Sequence, residues 1–236
     1  MTSRIVQLEV RNRLLGALTP DEFARLQPDL ERRSFESGIV LETPDVAIAQ
    51  VCFPEPGMIS VMARTPAGVQ AEVGAIGPEG MTGLPLLHGL DSWPHETIVQ
   101  IPCRALCIEA RAFRAALTEC RPLHDRLLRY AQVFAIQLAQ GSLCNSRFTL
   151  EQRLARWLLM CHDRTDREDL PLTHELLSLM LGVRRAGVTT ALRNLSDAGA
   201  VRTRRGGIGI CDRSQMLAIA GDAYGGPEAE YQRVLG

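Results

Sequence analysis

The sequence predicts an α+β chain with a helical start, a β-rich middle, one long helix and a C-terminal winged helix-turn-helix. Three observations carry that reading. Residues 172 to 201, LTHELLSLMLGVRRAGVTTALRNLSDAGAV, hold two short amphipathic helical patterns joined at Gly182. Residues 34 to 110 switch to short β-prone runs broken by glycine and proline turns. Between these regions, Leu127, Ala131, Phe134 and Leu138 recur at spacings of 4, 3 and 4, inside a helix expected from about Pro122 to Ser142.

In chain order, residues 8 to 33 read as helical. Leu14, Leu15, Leu18, Phe23, Leu26 and Leu30 fall at helical spacing around a Thr19-Pro20-Asp21-Glu22 start signal. The runs IVLE, AQVCF, MISVMA, VQAEVGAI, ETIVQI and RALCIEA follow, with PEPGM, TPAGV and IGPEGMTG as turns between some of them. Short strands at roughly ten-residue spacing argue for a β-sandwich or barrel. Residues 111 to 145 turn helical again. The Leu127, Ala131, Phe134 and Leu138 stripe fits a core helix or a coiled-coil seam, and Tyr130, Val133 and Ile136 widen its apolar face. The helix is therefore expected to pack both on the β-domain and on a second copy of itself. From Thr149 the pattern LEQRLARWLLMCHDR buries Leu150, Leu154, Trp157, Leu158 and Cys161 and leaves Glu151, Arg153 and Arg156 at the surface.

The helix-turn-helix reading rests on capping and periodicity together. Thr173 is placed to N-cap the first helix, and Leu176, Leu177, Met180 and Leu181 form its apolar stripe. Gly182 takes the left-handed turn at least cost. In the second helix Val188, Ala191, Leu192 and Leu195 face inward, leaving Arg184, Arg185, Thr189, Thr190 and Arg193 for another face. After Asp197-Ala198-Gly199, the runs AVRTRR and IGIC flank Gly206-Gly207 and read as a hairpin, the wing, with Arg202, Arg204 and Arg205 at its tip. From Arg184 to Arg205 there are six arginines and one acid, a local net of +5 in a chain whose total is −1. Positive charge gathered on a second helix and a wing is the electrostatic footprint of DNA contact, with the second helix reading base edges in the major groove.

Composition sets the class. The chain has 236 residues, 46% hydrophobic and 22% charged, enough for a sizeable core, and all 26 of its basic residues are arginine. The start MTSRIVQLEVRNRLL lacks a signal-peptide apolar stretch and no run of 18 apolar residues occurs, so a cytoplasmic chain without a membrane partner is expected. Seven cysteines, at positions 52, 103, 107, 120, 144, 161 and 211, lie in apolar context without a C-x-x-C, and buried thiols in a reducing compartment are expected rather than a metal or iron–sulfur site. No acid–base pair, Ser/His/Asp set or phosphate loop with its lysine occurs, which argues against an enzyme.

The order of parts, with the segments NRLLGALTPDEF, VCFPEPGMIS, VGAIGPEGMTGLP, LEQRLARWLLM and LTHELLSLMLGVRRAGVTTALRNLSDAGAV, resembles the Crp/Fnr family of bacterial transcription regulators over nearly the full length. That resemblance implies a sensor β-roll (a double-stranded β-helix like a cyclic-nucleotide-binding domain) at 1–118, a dimerisation helix at 119–145 and a winged helix-turn-helix at 146–236. Its implied partners are double-stranded DNA with a palindromic operator, a second copy of the chain and RNA polymerase.

Residue by residue, the family's base-reading Arg-Glu-x-x-x-Arg set falls on Arg185, Ala186 and Thr190, so only the first is kept and a different operator is implied. Arg184, Gly187, Thr189, Arg193 and Thr173 fall at phosphate or groove positions, joined by Arg204 and Arg205 of the wing. The effector pocket reads as degenerate. Gly77 and Glu79 are kept with Pro78 between them, while His95 and Glu96 stand where the family places its phosphate-binding arginine and its neighbour. A glutamate repels a phosphate and a neutral imidazole does not replace a guanidinium clamp, so cyclic AMP in the usual mode is not expected and the effector stays open.

The family's oxygen-sensing branch uses an N-terminal cysteine cluster, absent here since the first cysteine is Cys52. Its haem branch uses a histidine, for which His88, His95 and His124 are formal candidates, and no cofactor is expected. Two other readings compete. A cupin-like β-roll metalloenzyme needs clustered ligands, and the β-region offers only His88 and His95. A small-molecule-binding module whose helix-turn-helix no longer binds DNA would explain the losses at Ala186 and Thr190.

Overall fold

The structure is a computed structural model that describes residues 5–204 and 206–236. Its first segment is more broken than the helical reading of residues 8 to 33. A 3-10 turn at Gln7–Glu9 precedes α1 (Arg13–Gly16) and α2 (Pro20–Leu26), and a second 3-10 turn at Gln27–Asp29 leads directly into β1 (Glu31–Phe35). The breaks have local causes. Asn12 caps α1 by accepting from the Leu15 amide, Thr19 and Glu22 form a reciprocal capping box that starts α2 afresh, and Pro28 cannot extend an α-helix.

Seven strands then build two antiparallel sheets. β2 (Val40–Glu42), β3 (Gln50–Pro54), β4 (Met58–Arg64), β5 (Gln70–Ile76), β6 (Glu96–Ile101) and β7 (Cys103–Glu109) pair in the orders β1-β7-β3 and β2-β6-β4-β5. Only Pro102 separates β6 from β7, so the chain changes sheets at a residue that has no ladder N–H to lose. Between β5 and β6 lies one short helix, α3 (Leu84–Leu87). Val51, Phe53, Leu106 and Ile108 of one sheet meet Ile59, Val61, Ile76 and Val99 of the other in a single buried cluster. This is the β-roll the sequence predicts, begun three residues earlier than the 34 to 110 reading.

α4 (Ala110–Glu119) runs into α5 (Arg121–Arg147), whose 27 residues span about 40 Å at 1.5 Å per residue. It starts one residue before the expected Pro122 and runs five residues beyond the expected Ser142. α5 lies close on β5 because Gly74 has no side chain: a Cβ there would sit 2.6 Å from the Phe134 ring. α6 (Leu150–Arg164) begins at a Thr149/Gln152 capping box, and as expected Leu154, Trp157, Leu158 and Cys161 are buried, with Leu150 half-buried.

The C-terminal unit contains α7 (His174–Leu181), α8 (Arg185–Asp197) and a three-stranded sheet of order β8-β10-β9, from β8 (Asp169–Leu170), β9 (Val201–Arg204) and β10 (Gly207–Ile210). β9 and β10 are the predicted wing hairpin, and β8 is an added edge strand. α9 (Arg213–Ala220) and α10 (Gly226–Leu235) end the chain. α10 returns to α5 and places Tyr231 and Leu235 in the core of the roll. The winged helix is also packed on the roll: Met58, Met62, Ala75 and Ile101 of the four-stranded sheet share one cluster with Trp157, Leu158, Cys161 and Met180. None of the described helices is long and apolar enough to cross a membrane.

Candidate nucleic-acid interface

The two helices are positioned by caps and a turn of fixed hand. The Thr173 hydroxyl accepts from the Leu176 amide at 3.2 Å, starting α7 with its N–H groups toward solvent. Gly182 ends it at φ +63°, ψ +37°, a left-handed conformation costly for other residues. α8 then buries Val188, Ala191, Leu192 and Leu195, each at 1% exposure or less, against α6 and α7. With its inward face filled, Arg184, Arg185, Ala186, Thr189, Thr190 and Arg193 stand exposed on the other.

Hydrogen bonds fix part of that face. The Thr189 hydroxyl donates to the Arg185 carbonyl at 3.1 Å and meets His174 Nδ1 at 3.0 Å, so the imidazole donates from Nδ1 and ties the start of α7 to α8. Thr190 donates to the Ala186 carbonyl at 3.2 Å, so its hydroxyl is turned back on its own helix. Arg184 is the N-cap residue of α8, and Arg185 occupies its first turn with no partner for its guanidinium among the described residues. Gly187 is half-buried, its open side 3.2 Å from Leu150 if a Cβ were present.

The wing stands beside these helix starts. Thr173, His174, Glu175, Arg185, Thr203 and Arg204 line a cleft of about 510 Å³ between them. Arg202 makes two contacts to Asp169 Oδ1, at 3.0 and 3.2 Å, and Arg204 reaches Asp169 Oδ2 at 3.5 Å, so β8 supplies an acid that holds two wing arginines. Arg205 lies outside the described residues. The arrangement places the Arg184 and Arg185 guanidinium groups, both without a partner among the described residues, at a helix start, which suits a phosphate backbone and a base edge together.

The sensor-side residues do not form one site. Gly77 and Glu79 lie at the junction with α6, where Arg164 donates to Glu79 at 2.6 and 2.8 Å, both side chains nearly buried. Burial alone would lower the Arg164 pKa, and the attraction of Glu79 outweighs it, so the net direction is up. His95 stacks edge-on against Trp93 at 5.3 Å, away from Glu79, and Glu96 points to Arg64 at 3.7 Å. The loop they border holds a different acid. Glu42, 4% exposed, accepts from the Gly83 amide at 2.6 Å and from the Thr97 hydroxyl, and burial pushes its carboxyl up. His88 is exposed and His124 Nε2 meets the Leu87 carbonyl at 2.8 Å.

The four residues read as a dimer seam divide. Leu127 and Phe134 are buried in the chain's own core, while Ala131 and Leu138 are half-buried at its margin. The period-seven stripe is thus partly consumed by the roll. The open face of α5 is one step round and runs Gln132, Ala135, Ala139 and Ser142, at spacings of 3, 4 and 3, with the half-buried Leu128 at its head. Arg164, Asp169, His174 and Glu42 are residues that sequence reasoning missed, since each acts through a partner far away in the chain.

Residues 152–219 match the family model of the Crp-like helix-turn-helix domain. No curated protein matches the chain. Among solved structures, a putative transcriptional regulator of the Crp/Fnr family from Eubacterium rectale is 16% identical, with a TM-score of 0.68 over 88% of this chain and 97% of that one. FixK2 from Bradyrhizobium japonicum is 15% identical, with a TM-score of 0.69 over 81% and 98%. A putative cyclic nucleotide binding protein from Ruegeria pomeroyi is 19% identical, with a TM-score of 0.60 over 91% and 96%. The chain therefore has the fold of the Crp/Fnr-family transcriptional regulators and carries a Crp-like helix-turn-helix domain, which implies DNA as a partner.

Proposed function

We propose that this chain is a homodimeric, sequence-specific DNA-binding transcription regulator of Crp/Fnr type, acting in the cytoplasm and without catalytic activity. One observation carries the reading: Arg185, unpaired among the described residues, opens α8 beside Arg204 of the wing and the cap of α7, around one cleft inside the Crp-like domain. Arg185 reads a base edge. Thr173, Arg184, Gly187, Thr189, Arg193, Arg204 and Arg205 position the phosphate backbone, with Thr190 beside them on the exposed face of α8. The sensor unit covers 1–118, the dimer helix 119–145 and the DNA-binding unit 146–236.

The small side chains Ala135, Ala139 and Ser142 on the open face of α5, flanked by Ala131 and Leu138, suit close approach of a second α5. A two-fold dimer then reads a palindromic operator, with RNA polymerase as its further partner. Cyclic AMP in the usual mode does not fit. His95 and Glu96 supply no clamp, and the Glu42 carboxylate already takes the Gly83 and Thr97 donors beside them, so an incoming phosphate meets a fixed acid. Selection of bound duplexes from a random pool, with sedimentation of the free protein, tests this reading. It predicts a dimer and an enriched inverted repeat; a monomer that enriches no sequence sinks it.

A further inference from the structure

A cleft of about 470 Å³ opens where β5, the C-terminal half of α5 and the helices α6 and α7 meet, within the size range of small-molecule sites. Its wall is largely apolar, from Val73, Leu138, Met160, Met180 and Leu181, with the Trp157 ring beside them. Two polar atoms in it are buried without a hydrogen-bond partner among the described residues. Arg153 donates through Nη2 to the Leu181 carbonyl at 2.5 Å, at the end of α7, yet its Nε is buried with no partner. His95 Nδ1 is buried with no partner as well, its ring held by Trp93. The half-buried Arg156 makes no hydrogen bond or ion pair among the described residues.

A buried polar atom without a hydrogen-bond partner is destabilising, so a wall that collects two, one of them a guanidinium N–H, beside the Arg156 guanidinium suits an acceptor that the cleft does not itself contain. The one acid in the wall, Glu72, attracts Arg156 through space but makes its hydrogen bonds elsewhere. Its Oε2 accepts from Ser60 at 2.5 Å and its Oε1 from the Trp157 indole at 2.7 Å. Burial also pushes its carboxyl up, which moderates its charge toward an incoming anion.

We propose that this cleft binds a small amphipathic organic anion, its charged head held by Arg153, Arg156 and His95 and its apolar body lying against Leu138, Met160 and Met180. The cleft is separate from the junction that holds Glu79. Because its walls come from the roll, the long helix and the winged helix together, a bound anion favours the arrangement in which all three meet. That coupling rests on the DNA-binding reading above; the binding itself does not.

Octanoate is the probe, read by intrinsic fluorescence, because the chain's two tryptophans border the cleft, Trp157 in its wall and Trp93 on His95. Octanoate is expected to give a saturable change that octan-1-ol and inorganic phosphate do not. Arg156→Gln should weaken it at least about ten-fold and His95→Gln several-fold, each with unchanged circular dichroism, while Arg129→Gln on the exposed side of α5 leaves it unaltered. Equal binding by Arg156→Gln and the parent, or by octanol or phosphate and octanoate, overturns the proposal. Repeating the titration with DNA separates the two readings: octanoate that binds but leaves DNA affinity unchanged refutes the coupling alone, and failure to bind any DNA refutes the regulator reading while the site stands.

Discussion

Removing the charge of Arg164 tests how firmly the winged helix is held to the roll. Arg164 is the last residue of α6, its side chain 6% exposed, and it meets Glu79 of the β5–α3 loop, 11% exposed, at 2.6 Å. Arg164→Met leaves a buried carboxylate without its partner, a change that costs about 3–5 kcal/mol in comparable sites. Arg13 also approaches Glu79 Oε2, at 3.6 Å and half in solvent, so the lower end, about 3 kcal/mol, is expected. At roughly 2–4 °C per kcal/mol for a chain of this size, the melting temperature falls by about 6–12 °C. The double change Arg164→Met with Glu79→Leu removes both charges and fills the space with apolar atoms, and recovers most of the loss. Thermal unfolding followed by circular dichroism and by tryptophan fluorescence measures both. A single variant within about 1 kcal/mol of the parent, or a double variant worse than the single, refutes the assignment of a buried structural ion pair.

Three further outcomes follow from the same geometry. Burial raises the carboxyl of Glu72 above its usual range, so its contribution is present below the unfolded pKa and is lost as pH rises through the folded one. Glu72→Gln should match the parent near pH 4 and exceed it in stability at pH 8, and chemical unfolding that shows the reverse order contradicts this. Arg185→Ala should cost about 1–3 kcal/mol on the preferred site and little on unrelated DNA, whereas Arg193→Ala weakens all sequences about equally; competition titrations distinguish them. Asp169→Asn frees Arg204 and leaves Arg202 only the exposed Glu168 at 3.8 Å, so binding to non-specific DNA should tighten and its salt slope steepen by about one, measured by anisotropy across a salt series.

Much of this was legible because local and long-range demands coincide. In α7 and α8 the residues that make a helix amphipathic are those that fill the core, and Gly182 and Gly199 mark where each pattern ends, both with positive φ. The β-roll was readable as a class because its turns recur, although the sheet change at Pro102 was not. The two-residue β8 carries no pattern of its own; it exists because Asp169 and Leu170 pair with Gly209 and Ile208. The dimer seam was less legible. A 4, 3, 4 stripe reports that a helix buries a face and does not report against what, and here Leu127 and Phe134 face the roll. α10 was missed despite a usable signal, Pro227 and Glu228 at its start and Tyr231 and Leu235 four apart. Arg153 and Arg156 were expected at the surface, yet both line a cleft that forms only when the winged helix packs on β5 and α5. Glu42 shows the remaining limit: nothing in VLE predicts that its carboxylate takes the Gly83 amide 41 residues on.

The most direct test is a fluorescence-anisotropy titration of the selected inverted-repeat duplex against a scrambled duplex of equal length, at 50 and 200 mM salt. A sequence-specific regulator that uses Arg185 on a base edge and the wing and helix caps on phosphates predicts a preference of at least about 10³ for the repeat, with affinity for both duplexes falling steeply with salt. Equal affinity for the two duplexes, or no binding to either at 50 mM, contradicts it.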